Sequence, residues 1–370
     1  MAMTTTGTGL LSGNGDEQRT LIVVFLRGGA DGLSLVPPVG DDGYYSARPT
    51  LAVSERSALK LGGANCGLNP AMSELHQVFL EGDLTVVPAV GSNDETRSHF
   101  YAQDLMEHGG MVAGGWLGRF LRYRDGAVPT ALSAIALGKA MPEVLRGAPA
   151  ATVMESMATF SLGKGGGATS KLQAELASLY GNDPTILGPA ARDTLQALDR
   201  VAEIGKSGSG PKNGATYGED SFSNGLRQAA QLIRARVGLE AVSLDLNGWD
   251  SHLAQDTLIT PMMTRLSEGL ANFRKDLGGM MAKVTVVVMT EFGRRVAENS
   301  SFGTDHGRGG VMFLMGGGER GNVLGKMPEL ETGILVGPGD VPVVTDYREV
   351  LKPVLMKHGA GGAMGKIFPD

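Results

Sequence analysis

A single cysteine, Cys66, excludes both an intrachain disulfide and a thiolate-built metal cluster. Any metal must then be held through oxygen and imidazole, and Cys66, without a paired cysteine or basic flank, reads as a small buried thiol. Positive charge is also short. A net charge of −6 argues against a sequence-independent nucleic-acid binder, which needs a basic surface. No apolar run reaches membrane-spanning length, so no membrane partner is expected. Residues 1–20 lack the basic start and apolar core of a secretory signal. As written, the chain reads as soluble and cytoplasmic, or as exported to the periplasm or outside if a signal has been removed. A Gly-x-Ser-x-Gly elbow is missing too, which argues against an ordinary serine esterase.

Glycine is what the chain has in excess: 56 of 370 residues, about twice the usual share of roughly 7%. It is scattered through expected turns and builds no repeat, so it implies many tight loops.

Those loops follow apolar runs. Leu21–Leu26, Leu84–Val90, Ala241–Leu246, Val284–Met289 and Val311–Met315 have the composition of strands, several of them buried on both faces. Between them, Leu226, Ala229, Ala230, Ile233 and Val237 recur at helical spacing, as do Leu258, Met262, Leu266, Leu270, Phe273 and Leu277. Strand, helix, strand over 241–290 makes a parallel crossover unit. The fold class expected is α/β: a mostly parallel central sheet sandwiched by helices, with a helical insertion. Residues 1–20 are expected to be a flexible or disordered N-terminus. Residues 21–370 are expected to form one domain, with the insertion at about 164–218, where Gly, Ser and Lys cluster.

Polar motifs break the chain where the strands end: Arg27-Gly28-Gly29-Ala30-Asp31-Gly32, Gly248-Trp249-Asp250-Ser251-His252, Glu291-Phe292-Gly293-Arg294-Arg295 and Gly303-Thr304-Asp305-His306-Gly307. Ligands at strand ends, distant in sequence, are how α/β enzymes assemble metal sites. Asp31 is a candidate ligand or a turn aspartate that caps the next segment. Asp250 and His252, two apart in extended backbone, face the same side, and a carboxylate with an imidazole suits zinc, manganese or iron. Glu291 follows a valine-rich strand, where an acid must be paired or ligated. Its pair would be Arg294 or Arg295, which could instead clamp an anionic ester. Asp305-His306 sits between glycines that allow a ligand close to the backbone, or forms a capped surface turn. After the second strand, Ser98 opens an apparent helix as an N-cap or as a nucleophile. His99 beside it could donate a proton to a leaving group or bind substrate.

Together with Tyr44-Tyr45-Ser46-Ala47-Arg48-Pro49-Thr50-Leu51, Thr96-Arg97-Ser98-His99-Phe100 and Gly115-Trp116-Leu117-Gly118-Arg119, these motifs resemble the bacterial domain of unknown function 1501. That family is grouped with the alkaline phosphatase and sulfatase superfamily. The resemblance implies an alkaline-phosphatase-like fold and, often, a two-metal site at the strand ends. It also implies that Asp31 matches the superfamily's first-strand ligand and that Asp250 and His252 match its aspartate–histidine pair. Here one residue intervenes between those two, where three are usual. Glu291-Phe292 stands in the place of an Asp-His pair, and Ser98 matches the nucleophile by position.

The function expected is a metal-dependent hydrolase of phosphate or sulfate esters, acting on a small anionic substrate. One or two divalent metals (zinc, manganese or calcium) would be held by Asp31, Asp250, His252, Glu291, Asp305 and His306. Ser98 or a water would attack, His99 would assist, and Arg97, Arg294 or Arg308 would neutralise charge on the ester oxygens. The alternative is a catalytically degenerate protein on the same fold that binds a metal, an anion or a partner.

Overall fold

The computed structural model describes residues 18–126, 128–163, 167–208, 210–318 and 321–369. The apolar runs become the strands of one sheet. These are β1 (Thr20–Arg27), β4 (Leu84–Gly91), β5 (Ala134–Leu137), β6 (Thr152–Met154), β7 (Ala241–Asn247), β8 (Val284–Thr290), β9 (Gly310–Gly316), β10 (Asn322–Val323) and β11 (Thr345–Asp346). A separate antiparallel pair joins β2 (Leu59–Lys60) to β3 (Gly67–Leu68). The sheet runs β10-β4-β9-β8-β1-β7-β5-β6, with β11 also paired to β4. Every pairing is parallel except those of β9, which is antiparallel to both β4 and β8. The mostly parallel sheet between helices is therefore the observed architecture.

Strand β1 shows why the sheet is central. Ile22, Val24 and Leu26 pack on one face with Leu226, Ile233, Leu266 and Phe273 of two helices. Leu21, Val23 and Phe25 pack on the other with Trp116, Phe120, Leu351 and Leu355. Side chains alternate across a strand, so an unbroken apolar run is what two covered faces require. Each such side chain is worth about 1.5–3 kcal/mol of burial.

The helices flanking β7 are Ser221–Arg234 and Gln255–Leu277, and β7 and β8 lie on either side of β1. The register of the second helix differs from the sequence expectation in its first turns. Ile259 and Met263 are buried there, whereas Leu258 is exposed. Counting back from Leu266 by three and seven or by four and eight is equally helical, and packing selects the first. The helical material expected between strands is present as Gly167–Tyr180 and Leu187–Lys206, lying between β6 and β7. Residues 1–17 of the expected N-terminal segment and 164–166 and 209 of the insertion lie outside the described residues. Cys66 is buried, which pushes its thiol up to about 11. Among the described residues, no helix is long and apolar enough to cross a membrane.

Candidate metal centre

Parallel strands end on the same edge, so the loops after β1, β4, β7 and β8 meet there. Glycines let them meet closely. A Cβ on Gly28, whose φ is +117°, would stand 2.5 Å from the backbone nitrogen of Asp250, and one on Gly29 would strike the Phe292 ring at 2.5 Å. A Cβ on Gly303 would lie 2.2 Å from the carbonyl carbon of His252.

At this junction His99, Asp250 and His306 each offer a ligand atom within 4.8 Å of the other two. Asp250 Oδ2 is 3.5 Å from His99 Nε2, and its Oδ1 is 3.4 Å from His306 Nε2. His252 joins them, with Nε2 3.2 Å from Asp250 Oδ1 and 2.9 Å from His306 Nε2.

Behind each imidazole stands an acceptor for Nδ1. His99 Nδ1 donates to Glu291 Oε1 at 2.9 Å, and His306 Nδ1 donates to the Arg97 carbonyl at 2.8 Å. His252 turns Nδ1 toward Asp305 Oδ1 at 3.4 Å. A carbonyl or carboxylate only accepts, so in the neutral imidazoles of His99 and His306 a proton on Nδ1 leaves the lone pair on Nε2. Nε2 of His99 is buried with no hydrogen-bond partner. An orphaned lone pair aimed at a carboxylate and a second lone pair is a fit for a cation. The donor set, nitrogen-rich with one carboxylate, is of the kind that takes zinc, manganese or iron.

The electrostatics follow the same layout. Burial works to raise the Asp250 carboxyl, but the hydrogen bond and charge of Arg294 bring it down to about 2. The hydrogen bond to Glu291 raises His99 above the ordinary imidazole value, against burial. Burial acts to raise Glu291 as well, and hydrogen bonds from His99 and Gln103 hold it below the usual carboxylate range. Burial lowers His306, helped by the nearby Arg294 charge.

Of the residues picked from the sequence, Asp250, His252 and His306 stand in the cluster. His99, expected to handle protons or substrate, stands there as a donor atom. Glu291 and Asp305, expected as ligands, sit one layer back. The oxygens of Glu291 accept from Gly28 N–H at 2.9 Å, Gln103 Nε2 at 2.8 Å and Thr290 Oγ1 at 3.0 Å, besides His99. Asp305 is shared between His252 and Arg295 Nη1 at 3.3 Å.

Asp31 is committed elsewhere. Fully buried, it accepts from Arg48 at 2.5 and 3.0 Å, Ser34 Oγ at 2.6 Å, Gln255 Nε2 at 2.7 Å and Leu33 N–H at 3.2 Å. Five donors leave its lone pairs spent, so it serves as the cap of the short helix after β1. Arg294 is equally occupied. Its guanidinium donates to the carbonyls of Gly29, Thr304, Gly28 and Trp249 and to Asp250 Oδ1. It ties three loops together and sets Asp250. Arg308 pairs with Glu95 at 3.3 Å, and Arg97 with Asp340 at 2.5 Å. Ser98 is exposed at the N-cap of helix His99–His108, and its hydroxyl makes no capping bond.

Sequence reading missed Gln103, Arg48, Gln255 and Asp340. Gln103, one helical turn after His99, was legible in principle from the i, i+4 spacing. Arg48 lies in the Tyr44–Leu51 motif, where nothing pointed to Asp31, and Gln255 and Asp340 act across long sequence separations with no local signal.

Residues 170–343 match the model of a family described as "Protein of unknown function (DUF1501)". The chain carries a DUF1501 region. That region holds Asp250, His252, Glu291, Arg294, Asp305 and His306, whereas Arg97, Ser98 and His99 precede it. Similar solved structures include Ps i-CgsB in complex with k-i-k-neocarrahexaose, at 10% identity and TM-score 0.33, covering 89% of this chain and 68% of that one. The alkaline phosphatase of the Antarctic bacterium TAB5 is 10% identical with TM-score 0.28, covering 83% of this chain and 94% of that one. The 2-O GAG sulfatase BT1596 is 11% identical with TM-score 0.26, covering 81% and 64%. No curated protein matches the chain.

Proposed function

We propose that this protein is a metal-dependent hydrolase of phosphate or sulfate esters. One observation carries the reading. Three imidazoles, each turning Nδ1 to its own acceptor, direct Nε2 to the carboxylate of Asp250. A divalent cation held by His99, His252, His306 and Asp250 would supply Lewis acidity toward an ester oxygen. Carboxylate-backed histidines are the supporting shell that such ligands need.

The anionic substrate class is supported by what borders the cluster. Ser98 presents an uncapped hydroxyl at the N-terminus of a ten-residue helix, where amide dipoles favour an anion. In this reading its Oγ, or a water in its place, is the nucleophile. Arg97, about one-third exposed, is the candidate to meet an ester oxygen.

A second reading keeps the metal and drops turnover, leaving a metal-, anion- or partner-binding protein. Arg294 favours it, because a guanidinium expected to neutralise substrate charge is spent on four carbonyls and Asp250.

The test is metal analysis of the purified protein followed by a screen of phosphate and sulfate esters with zinc or manganese added. Turnover that needs the metal and disappears in Asp250→Ala supports the hydrolase. Metal binding without turnover supports the second reading, and no metal binding overturns both.

A further inference from the structure

Asp340 lies outside every motif that the sequence brings forward. It stands in the loop before β11 and is 0% exposed. A carboxylate there is costly to desolvate unless paired. Its Oδ2 accepts from Arg97 Nη2 at 2.5 Å, and its Oδ1 lies 4.0 Å from Arg295 Nε. Neither Oδ1 nor that Nε has a hydrogen-bond partner. The backbone holds the group in place: Arg295 and Asp340 form an antiparallel bridge, and Val296 N–H donates to the Gly339 carbonyl at 3.0 Å.

Each arginine leads to one imidazole of the cluster. The Arg97 carbonyl accepts from His306 Nδ1. Arg295 donates from its backbone N–H to the Asp305 carbonyl at 2.9 Å and faces the Asp305 carboxylate with Nη1. Asp305 in turn faces His252 Nδ1. One buried negative charge thus stands where two arms meet, and the arms end on Nδ1 of His306 and His252, whose Nε2 atoms face each other.

We infer that Asp340 is a positioning residue of the metal centre, fixing Arg97 and Arg295 and through them the orientation and tautomer of His306 and His252. The inference rests on the metal-centre reading above. Removing the charge leaves two arginines with a shared counter-ion lost, and both histidine acceptors shift with them. Direct hydrogen-bond partners of metal ligands change metal affinity by about 10–100-fold when removed, and Asp340 holds the residues that supply two of them.

The experiment uses the full chain with Asp340→Asn, which keeps the shape, and Asp340→Glu, which keeps the charge. Zinc affinity is measured by chelator competition, the unfolding midpoint by heating, and histidine ring nitrogens by NMR of metal-free, 15N-labelled protein. Asp340→Asn is expected to weaken zinc tenfold to hundredfold and to move the ring signals of His252 and His306 but not of His76, which meets the Lys60 carbonyl at 2.8 Å. Asp340→Glu is expected to recover part of both. Arg295→Gln, which cuts one arm, is expected to move His252 alone, and it replaces Asp340→Asn if that variant does not fold. Unchanged ring signals, or unchanged zinc affinity beside a lowered midpoint, overturn the inference. If the unsubstituted protein binds no zinc, the metal reading fails and the ring signals still decide the role of Asp340.

Discussion

His252 and His306 face each other through their Nε2 atoms at 2.9 Å. With both Nδ1 atoms turned to acceptors, two lone pairs meet there, and they repel unless a proton or a cation lies between them. His252→Ala and His306→Ala are each expected to weaken zinc binding by at least about tenfold, as loss of a ligand costs no less than loss of its supporting partner. Because the two residues touch, their effects should not add. Chelator competition on the two variants and the double variant checks this, and wild-type affinity in either single variant contradicts it.

Asp31 gives the opposite expectation. It forms a buried pair with Arg48, whose side chain is also fully buried. Burial acts to raise the Asp31 carboxyl, but the Arg48 charge and hydrogen bonds bring it below its ordinary value. Breaking a buried pair by removing one partner costs about 3–5 kcal/mol. Asp31→Asn should therefore lower stability to urea by that order while zinc stoichiometry stays the same. A variant of normal stability that loses zinc would return Asp31 to the ligand set.

Gly303 is tested by size alone. Any Cβ there meets backbone of His252 and Leu253 at 2.2 to 2.5 Å, so the loop carrying His252 must move. Gly303→Ala should reduce zinc affinity at least about tenfold and cost about 1–3 kcal/mol from overpacking. Gly365→Ala, with nothing within 4 Å of the new methyl, is the control expected to leave zinc affinity unchanged. Equal affinities in the two variants would remove the close approach from the account.

The sheet was legible because a strand covered on both faces must be apolar throughout, and Leu21–Leu26 and Val284–Met289 satisfy that without context. The strand-end motifs were legible for the same reason, since polar residues after such runs have few places to go. The layer a residue occupies was not legible. Glu291 and Asp250 both follow strands as single acids, yet one backs a histidine and the other meets three imidazoles. That difference is decided by Gln103, Thr290 and Gly28, which hold Glu291 and converge only in the fold. The short strands β5 and β6 escaped notice because four and three residues carry too little period to read. Asp340 escaped because nothing near it in sequence distinguishes a buried carboxylate from a loop acid.

His358, away from these loops at the end of helix Tyr347–Lys357, offers a pH prediction free of the metal. Its Nε2 meets Thr285 Oγ1 at 2.9 Å. Burial pushes its pKa from 6.5 down to about 4, aided by the charges of Arg19 and Lys357. The unfolded chain therefore binds this proton more readily than the folded one between those values. The stabilisation is complete above about pH 6.5 and shrinks as pH falls toward 4, below which it is flat. Its full size is on the order of 3 kcal/mol at most. Unfolding by urea at several pH values should show wild type losing more stability than His358→Gln as the solution is acidified across this window. Parallel curves for the two proteins would mean that His358 takes up its proton equally in both states.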